Sequence, residues 1–516
     1  MSQYIDIPNA EASTKSPVGP PGAAMRRILA VSVVLLVAQM GFFLAISRHR
    51  IIDGDEGIYL LAARLVKEHK VPYLDFFYQQ MPALPFVYGL WMKLIGTSWY
   101  AGRTLSAIFA SIVGAGLFAA IWRETRKPFP AAFALALYVT HADVLGWFVT
   151  VKTYALSALF LLAAHQLTTS NRNRSGVLLG GLALGLATDV RLYCAALLPL
   201  FLIWLYRRRK SWRRFSSGFL LALLPNLYFV GKNPRAFYFD NLGYHAIRTG
   251  HAGLVQDWPQ KLRILSEWAN DFQIGILFLL AGLFVFLYRA GGAAARLALY
   301  LSLAFALVCL LPTPTYSQYF CAAVPLLIFA VVVPVSDALD RLPNAKMRIR
   351  VALMFSALFF LSSPMWRRYY PQYFQGIAGM RIANWRVPQA VEISHAVDEF
   401  ILPGEPVIST WSGYIVESLA EPFPGMENDS RLASAELLTE AELREYRLVA
   451  ERQIVSAIER GTVRVVIFGH QSAPPGTTPE EAYYGLLHAR FKMVRRIGDT
   501  EIFVRAPLAP SPREKQ

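Results

Sequence analysis

Cysteine is scarce in this chain. Cys194, Cys309 and Cys321 are the only three, each lies inside an apolar run, and none follows Cys321. That pattern argues against a disulfide framework and against thiolate metal sites, and no His/Cys ligand spacing supports zinc. Charge is thin as well: 17% of the 516 residues are charged against 55% apolar, and the mean hydropathy of +0.36 is too high for a soluble enzyme of this size. Acidic residues are the rarer sign, 35 against 51 lysines and arginines, giving a formal net charge of +16. No Gly-rich phosphate fingerprint stands out.

What the chain has instead is apolar length. Runs of about 20 apolar residues, enough to cross roughly 30 Å of hydrocarbon as a helix, recur from Ile28 almost to Ser363 and then stop. The basic residues sit mostly between these runs: Arg26 and Arg27, Arg123 with Arg126 and Lys127, Arg172 and Arg174, Arg207 to Lys210, Arg289 and Arg296, and Arg341 to Arg350. Short basic loops are retained in the cytoplasm, so the surplus charge reads as topogenic and no nucleic acid is expected as a partner. Residues 1–24, with four prolines, read as a disordered cytoplasmic leader without a cleavage site. Spans are predicted near 28–46, 104–122, 129–146, 154–168, 176–188, 191–206, 215–230, 272–288, 297–311, 319–335 and 351–363. About eleven crossings that start inside leave the C-terminus outside, with every basic cluster on the cytoplasmic side. The arms 176–188 and 191–206 are short, with Asp189 and Arg191 at their junction, and favour a deep hairpin. The fold class expected is a polytopic α-helical membrane protein: a transmembrane body over 25–363, an outside loop over 48–103, and a noncytoplasmic soluble α/β domain over 364–516.

The stretch "IIDGDEGIYLLAARL" puts Asp53, Asp55 and Glu56 at the start of that first outside loop. Apolar Ile58, Leu61, Ala62 and Leu65 recur at helical spacing with Arg64, Lys67 and Glu68 opposite, which predicts an amphipathic helix lying in the interface. Asp53 and Glu56 are three apart at its head and suit a capping box. Capping needs one acid and tolerates a second; it does not call for three. The loop continues as "VPYLDFFYQQMPALPFVYGLWMKLIGTSWYAGR", an aromatic approach, a Pro-punctuated bend, a helix too short to span and Arg103.

The acidic pair just after the first span, the interfacial helix with Tyr59, the "Y.DFF..Q.P" turn, the short aromatic helix and the Arg before the second span resemble one family. It is the GT-C class of glycosyltransferases that use polyprenyl-phosphate sugars, the superfamily of the protein O-mannosyltransferases and the lipid A aminoarabinose transferase. The resemblance implies that Asp55 and Glu56 match the family's "DE" pair, with Asp55 as the base. Asp143, in "THADVLGWFVTVKTY", supplies a further acid and Asp53 an assisting one. One departure is plain. The aminoarabinose transferases carry a Glu-Lys-Pro turn where this chain has Gln80-Met81-Pro82, and Lys152 is the candidate replacement for that lysine.

Such chemistry needs a carboxylate to take the acceptor's proton and cations beside a departing lipid phosphate. Candidate phosphate binders are Lys152, Arg191, Arg103, Arg248 and His245, in a loop that also carries Lys232, Arg235 and His251. Lys152 and Arg191 are the most telling, because a lone charge near an apolar stretch costs on the order of 3 kcal/mol. The blander alternatives are an Arg191–Asp189 pair, snorkelling of Lys152 to the interface, and solvated histidines. Tyr59, Gln80, Tyr316 and Tyr319 are the substrate-pocket candidates, the last two read equally well as an aromatic belt. No cofactor is required, and an Mg²⁺ or Mn²⁺ bridging Asp53, Asp55 and phosphate stays open.

The implied partners are a polyprenyl-phosphate-linked sugar, a lipid, glycan or protein acceptor, and the bilayer, with a bacterial inner membrane as the location. A lipid or polysaccharide transporter is the rival from another class, and neither internal symmetry nor paired half-helix repeats favour it. In the tail, strands are predicted at 406–410, 463–469, 491–495 and 501–504, with helices over 442–460 and 480–490.

Overall fold

The computed structural model describes residues 21–170, 174–247, 257–270, 273–362, 386–428, 432–469 and 484–505. Arg248 and His251, the leader up to residue 20 and the stretch 363–385 lie outside the described residues.

Among the described residues, each apolar run predicted as a span is mostly helical. The first eight helices are α1 (Pro21–His49), α2 (Gly54–Lys67), α3 (Ala83–Ile95), α4 (Trp99–Thr125), α5 (Pro128–Val139), α6 (Ala142–Trp147), α7 (Thr153–Ser170) and α8 (Arg174–Val190). By length and composition, four helices among the described residues suffice to cross a membrane: Arg26–His49, Trp99–Thr125, Gly292–Cys309 and Ser317–Asp340. Others are shorter or broken, including Pro128–Val139, Ser175–Val190 and Leu192–Arg207.

The breaks have physical causes. The predicted run 129–146 divides at Thr140 and His141, where the side chain of Gln273 takes over the ladder. Its Oε1 accepts from the Ala142 N–H at 2.7 Å and its Nε2 donates to the Thr140 carbonyl at 3.0 Å. Backbone groups freed by the bend are thus satisfied away from water. The run 215–230 is interrupted at Pro225, which has no N–H to continue a helix. Close helix packing relies on a missing side chain: a Cβ on Gly218 would lie 2.1 Å from the Leu178 carbonyl oxygen of α8.

A buried core runs through the helical body from Phe43 of α1 and Leu117 of α4 to the helix Val324–Asp340, whose first ten residues are all buried. A second core joins the outside loop to the C-terminal domain, bringing Tyr59, Leu60, Tyr88 and Trp99 against Val407, Trp411 and Tyr414. That domain holds a five-stranded sheet of β1 (Pro406–Ser409), β2 (Glu421–Pro422), β3 (Val465–Gly469), β4 (Phe491–Ile497) and β5 (Thr500–Arg505) in the order β2-β1-β3-β5-β4. β1 pairs parallel with β2 and β3, whereas β5 pairs antiparallel with β3 and β4. The single helix expected over 442–460 is two, Glu440–Tyr446 and Glu451–Arg460, because Arg447 adopts a left-handed φ of 58° and ends the first.

α2 departs from the expectation of an interfacial helix with one polar face open. Glu56 to Leu65 are all buried. Arg64 turns into the protein and donates to the carbonyls of Ile415 at 2.6 Å and Ala420 at 2.7 Å, so the C-terminal domain covers the face assigned to headgroups. It is α3 that keeps an open apolar side, with Leu90 and Leu94 exposed.

Candidate active site

Asp53 is the N-cap of α2. Its extended backbone and short carboxylate let Oδ1 accept the Asp55 N–H at 3.1 Å. The capping box does not form, because Glu56 is turned away to Arg103. Glu56 and Arg103 are both fully buried, joined at 2.8 Å through Nε and 2.7 Å through Nη2, and Glu56 also accepts the Val151 N–H at 3.0 Å. The remaining Arg103 donors go to the carbonyls of Ser47, Arg50 and Ile51. Arg103 has no donor left for a phosphate, and Glu56 has no open approach for an acceptor. The phosphate-binding expectation for the one and the catalytic expectation for the other give way to a buried ion pair that fixes α2 on α4.

Capping by Asp53 leaves Asp55 projecting. Its side chain is 54% exposed, and the Lys152 ammonium donates to Oδ2 at 2.7 Å. The same ammonium, 4% exposed, also pairs with Asp53. Lys152 therefore does not snorkel away; it lies between two carboxylates and over the Trp147 ring at 5.6 Å. Burial disfavours its charged form, yet Asp53 and Asp55 override that and hold it well above the ordinary lysine value. Burial also raises the Asp53 carboxyl against the opposing pull of Lys152.

Arg191, 4% exposed, is buried beside this cluster. Nη1 donates to the Thr153 hydroxyl at 2.7 Å, directly beside Lys152 in sequence. The rings of Tyr154, Tyr193 and Tyr319 pack on its guanidinium at 4.8, 4.8 and 4.9 Å. Its Nε is buried without a partner among the described residues, and no carboxylate there pairs with it. The alternative Arg191–Asp189 pair is not formed: Asp189 accepts from Asn226 at 2.6 Å instead. Tyr59 is buried beside these charges, and its phenol is pushed up to about 12, chiefly by burial.

Tyr193 and Tyr319 form a shared wall between Arg191 and a cavity of about 400 Å³, whose lining is largely apolar and includes Leu192, Val308 and Leu311. Gln80 and His245 line this cavity too, and His245 Nε2 lies 3.2 Å from the Gln79 carbonyl. Tyr316 stays at the rim, 38% exposed and edge-on to Tyr319. Asp143 is buried at the start of α6 and bonds the Cys321 thiol, which itself lies close enough to Arg191 to feel its charge. The site thus gathers Asp53, Asp55, Tyr59, Lys152, Arg191 and Tyr319, with Gln80 and His245 in the adjoining cavity.

A bridging Mg²⁺ or Mn²⁺ does not fit this donor set, because the ammonium of Lys152 already lies between the two carboxylates. Among the described residues no group of three His, Cys, Asp or Glu side chains converges for a metal.

Several contributors carried no sequence signal strong enough to single them out. Trp411 of the C-terminal domain donates from Nε1 to the Gly54 carbonyl at 2.8 Å, between the two aspartates. Arg50 donates to the Gly146 carbonyl at 2.8 Å and lies over Trp147. Asp240, fully buried, accepts the Tyr78 N–H at 2.9 Å and anchors the turn leading to Gln80. An acid within the aromatic run "FYFDNLGY" was the available hint. Lys261, also buried, donates to the Leu310 and Pro312 carbonyls at 2.8 Å each and so secures the cavity's far wall.

Solved structures with the fold expected from the acidic pair and its loop resemble this architecture. No protein-family model matches the chain, and no curated protein matches it. Among solved structures it resembles ArnT, the lipid A aminoarabinose transferase, from Cupriavidus metallidurans. Bound to undecaprenyl phosphate, ArnT superposes with a TM-score of 0.62 at 14% identity, covering 95% of this chain and 99% of that one. The apo state of the same protein gives 0.60 at 13% identity, covering 94% and 98%. Likeness at this identity establishes the fold.

Proposed function

We propose that the chain is a membrane glycosyltransferase that moves a sugar from a polyprenyl phosphate to an acceptor hydroxyl or amine on the extracytoplasmic side, with inversion at the anomeric carbon. The observation that carries this reading is the exposed Asp55 carboxylate held by buried Lys152, next to a buried arginine that has no acidic partner among the described residues. In a single displacement the acceptor oxygen or nitrogen attacks the anomeric carbon and its proton passes to Asp55. The bond from that carbon to the phosphate oxygen breaks, and the polyprenyl phosphate departs with the bonding electrons. A positioned base contributes about 10²- to 10⁴-fold to such a step. Lys152 and Arg191 stabilise the negative charge that grows on the leaving phosphate, most effectively where water is excluded.

The cavity behind Tyr193 and Tyr319 suits the first isoprene units of the carrier, and Gln80 and His245 supply hydrogen bonds at its wall. ArnT holds undecaprenyl phosphate on the same fold; here the chemistry that fits such a lipid is the Arg191 cage beside an apolar cavity. The basic loops support a cytoplasmic N-terminus and an inner-membrane body over 25–363, with 364–516 outside. The test is incubation of the purified protein with polyprenyl-phosphate sugars and envelope acceptors. Asp55→Asn is expected to abolish transfer with folding intact, and undiminished turnover would reject the assignment.

A further inference from the structure

Away from the Asp55 cluster, a cavity of about 610 Å³ opens between the C-terminal domain and the first outside loop. Its walls carry four arginines, Arg444, Arg447, Arg452 and Arg460, against two acids, Asp75 and Glu427. The helix Glu440–Tyr446 supplies Arg444, the residue that ends it is Arg447, and the helix Glu451–Arg460 supplies Arg452 and Arg460. On the second helix Gln453, Ser456 and Arg460 recur at spacings of three and four and so share the face that lines the cavity.

These arginines are not equally occupied. Arg452 is neutralised by Glu436 at 2.8 Å and Glu440 at 3.0 Å. Arg447 donates from Nε to the Leu74 carbonyl at 2.7 Å, which closes the cavity against the outside loop. Arg444 and Arg460 are exposed and make no ion pair among the described residues. Two unneutralised guanidiniums lining one concave surface that also offers a hydroxyl, Ser456, and an amide, Gln453, suit a ligand with one anionic group and several hydroxyls.

We propose that this cavity is a binding site for an anionic saccharide, whose phosphate or carboxylate group is held by Arg444 and Arg460. On the glycosyltransferase reading above, that saccharide belongs to the acceptor. The placement supports this. Asp75 lines the arginine cavity and Gln79 lines the cavity beside Arg191, and four residues of chain span at most about 14 Å. The arginine cavity therefore lies one short loop segment from the cavity beside Arg191.

The test is calorimetric titration of the full-length protein in detergent, without any donor lipid, with glucose 1-phosphate, glucuronate and methyl glucoside. At least one of the two anionic sugars is expected to bind while methyl glucoside does not, and which one binds identifies the group as phosphate or carboxylate. The variant Arg444→Glu/Arg460→Glu is expected to weaken that binding tenfold or more and to leave the thermal unfolding midpoint unchanged, both residues being exposed. Equal binding of methyl glucoside, unchanged affinity in the variant, or no binding of either anionic sugar would overturn the proposal. Because no donor is present, a protein that binds the anionic sugar but transfers nothing would sink the transferase reading while leaving this site standing.

Discussion

Glu56 and Arg103 close a bidentate ion pair with neither side chain exposed to solvent, one residue beyond the exposed Asp55. Adjacent acids therefore do different work. Asp55 faces open space, whereas Glu56 ties the head of α2 to α4 and to the Val151 backbone. Taking one partner from a buried pair leaves an uncompensated charge or unfilled donors, at a cost of about 3–5 kcal/mol. Arg103→Ala is expected to lose stability on that scale, read as a fall in the thermal midpoint of detergent-extracted protein. Asp55→Asn removes one of the two carboxylates on the buried Lys152 ammonium but leaves Asp53 paired with it, so its loss of stability should be smaller than that of Arg103→Ala. A stable Arg103→Ala protein would remove the structural assignment.

Replacing Arg191 by Lys keeps the charge but loses the planar stack on Tyr154, Tyr193 and Tyr319, each contact of this kind contributing about 0.5–2 kcal/mol. KM for the polyprenyl-phosphate donor is expected to rise about tenfold, with a smaller change in kcat. Steady-state kinetics with the donor varied at fixed acceptor would show this. An unaltered donor KM would take Arg191 out of the phosphate site.

Trp411 bonds the backbone of the turn that carries Asp55. Trp411→Phe deletes the bond to the Gly54 carbonyl while keeping an aromatic ring against Trp99, 5.7 Å away between centroids. As a positioning change it should lower kcat and spare donor affinity. Gly57→Ala probes the same seam by crowding, since a Cβ there would meet Gly413 Cα at 2.6 Å. Overpacking of this kind costs about 1–3 kcal/mol. If Trp411→Phe shifts only donor KM, the C-terminal domain is not what orients the acid.

Glu427 gives the C-terminal domain a pH response. Burial pushes its carboxyl up to about 7, with Lys70 lowering it and Glu421 raising it, against 4.5 for the ordinary group. The folded state then binds more protons than the unfolded one between those values. Its contribution is present in full below about pH 4.5 and is lost as pH rises through about 7. Thermal midpoints should fall across that window and level off above it, and Glu427→Gln should flatten the part of the slope that Glu427 supplies. An identical slope in the variant would refute the assignment.

The helical body was readable in advance because lipid-length apolar runs and basic loops are one-dimensional signals. What the runs did not show was where each helix breaks. The division at Thr140 depends on Gln273, more than a hundred residues along the chain, whose amide satisfies both freed backbone groups. Sequence spacing likewise singled out Asp53, Asp55, Lys152 and Arg191, since charges beside apolar runs are conspicuous. It could not tell that Lys152 reaches the two aspartates while Asp143 goes to Cys321, because those pairings cross between helices.

The amino-acid order alone determined a greasy helical body, a sheet-bearing tail and an acid-rich turn after the first long helix, since each follows from local periodicity and hydrophobic length. Only the tertiary structure decided which acid stays exposed. Folding brings Arg103 to Glu56 and Trp411 to Gly54 across great sequence distances, and the energy of burying those groups is what leaves Asp55 exposed beside a buried ammonium.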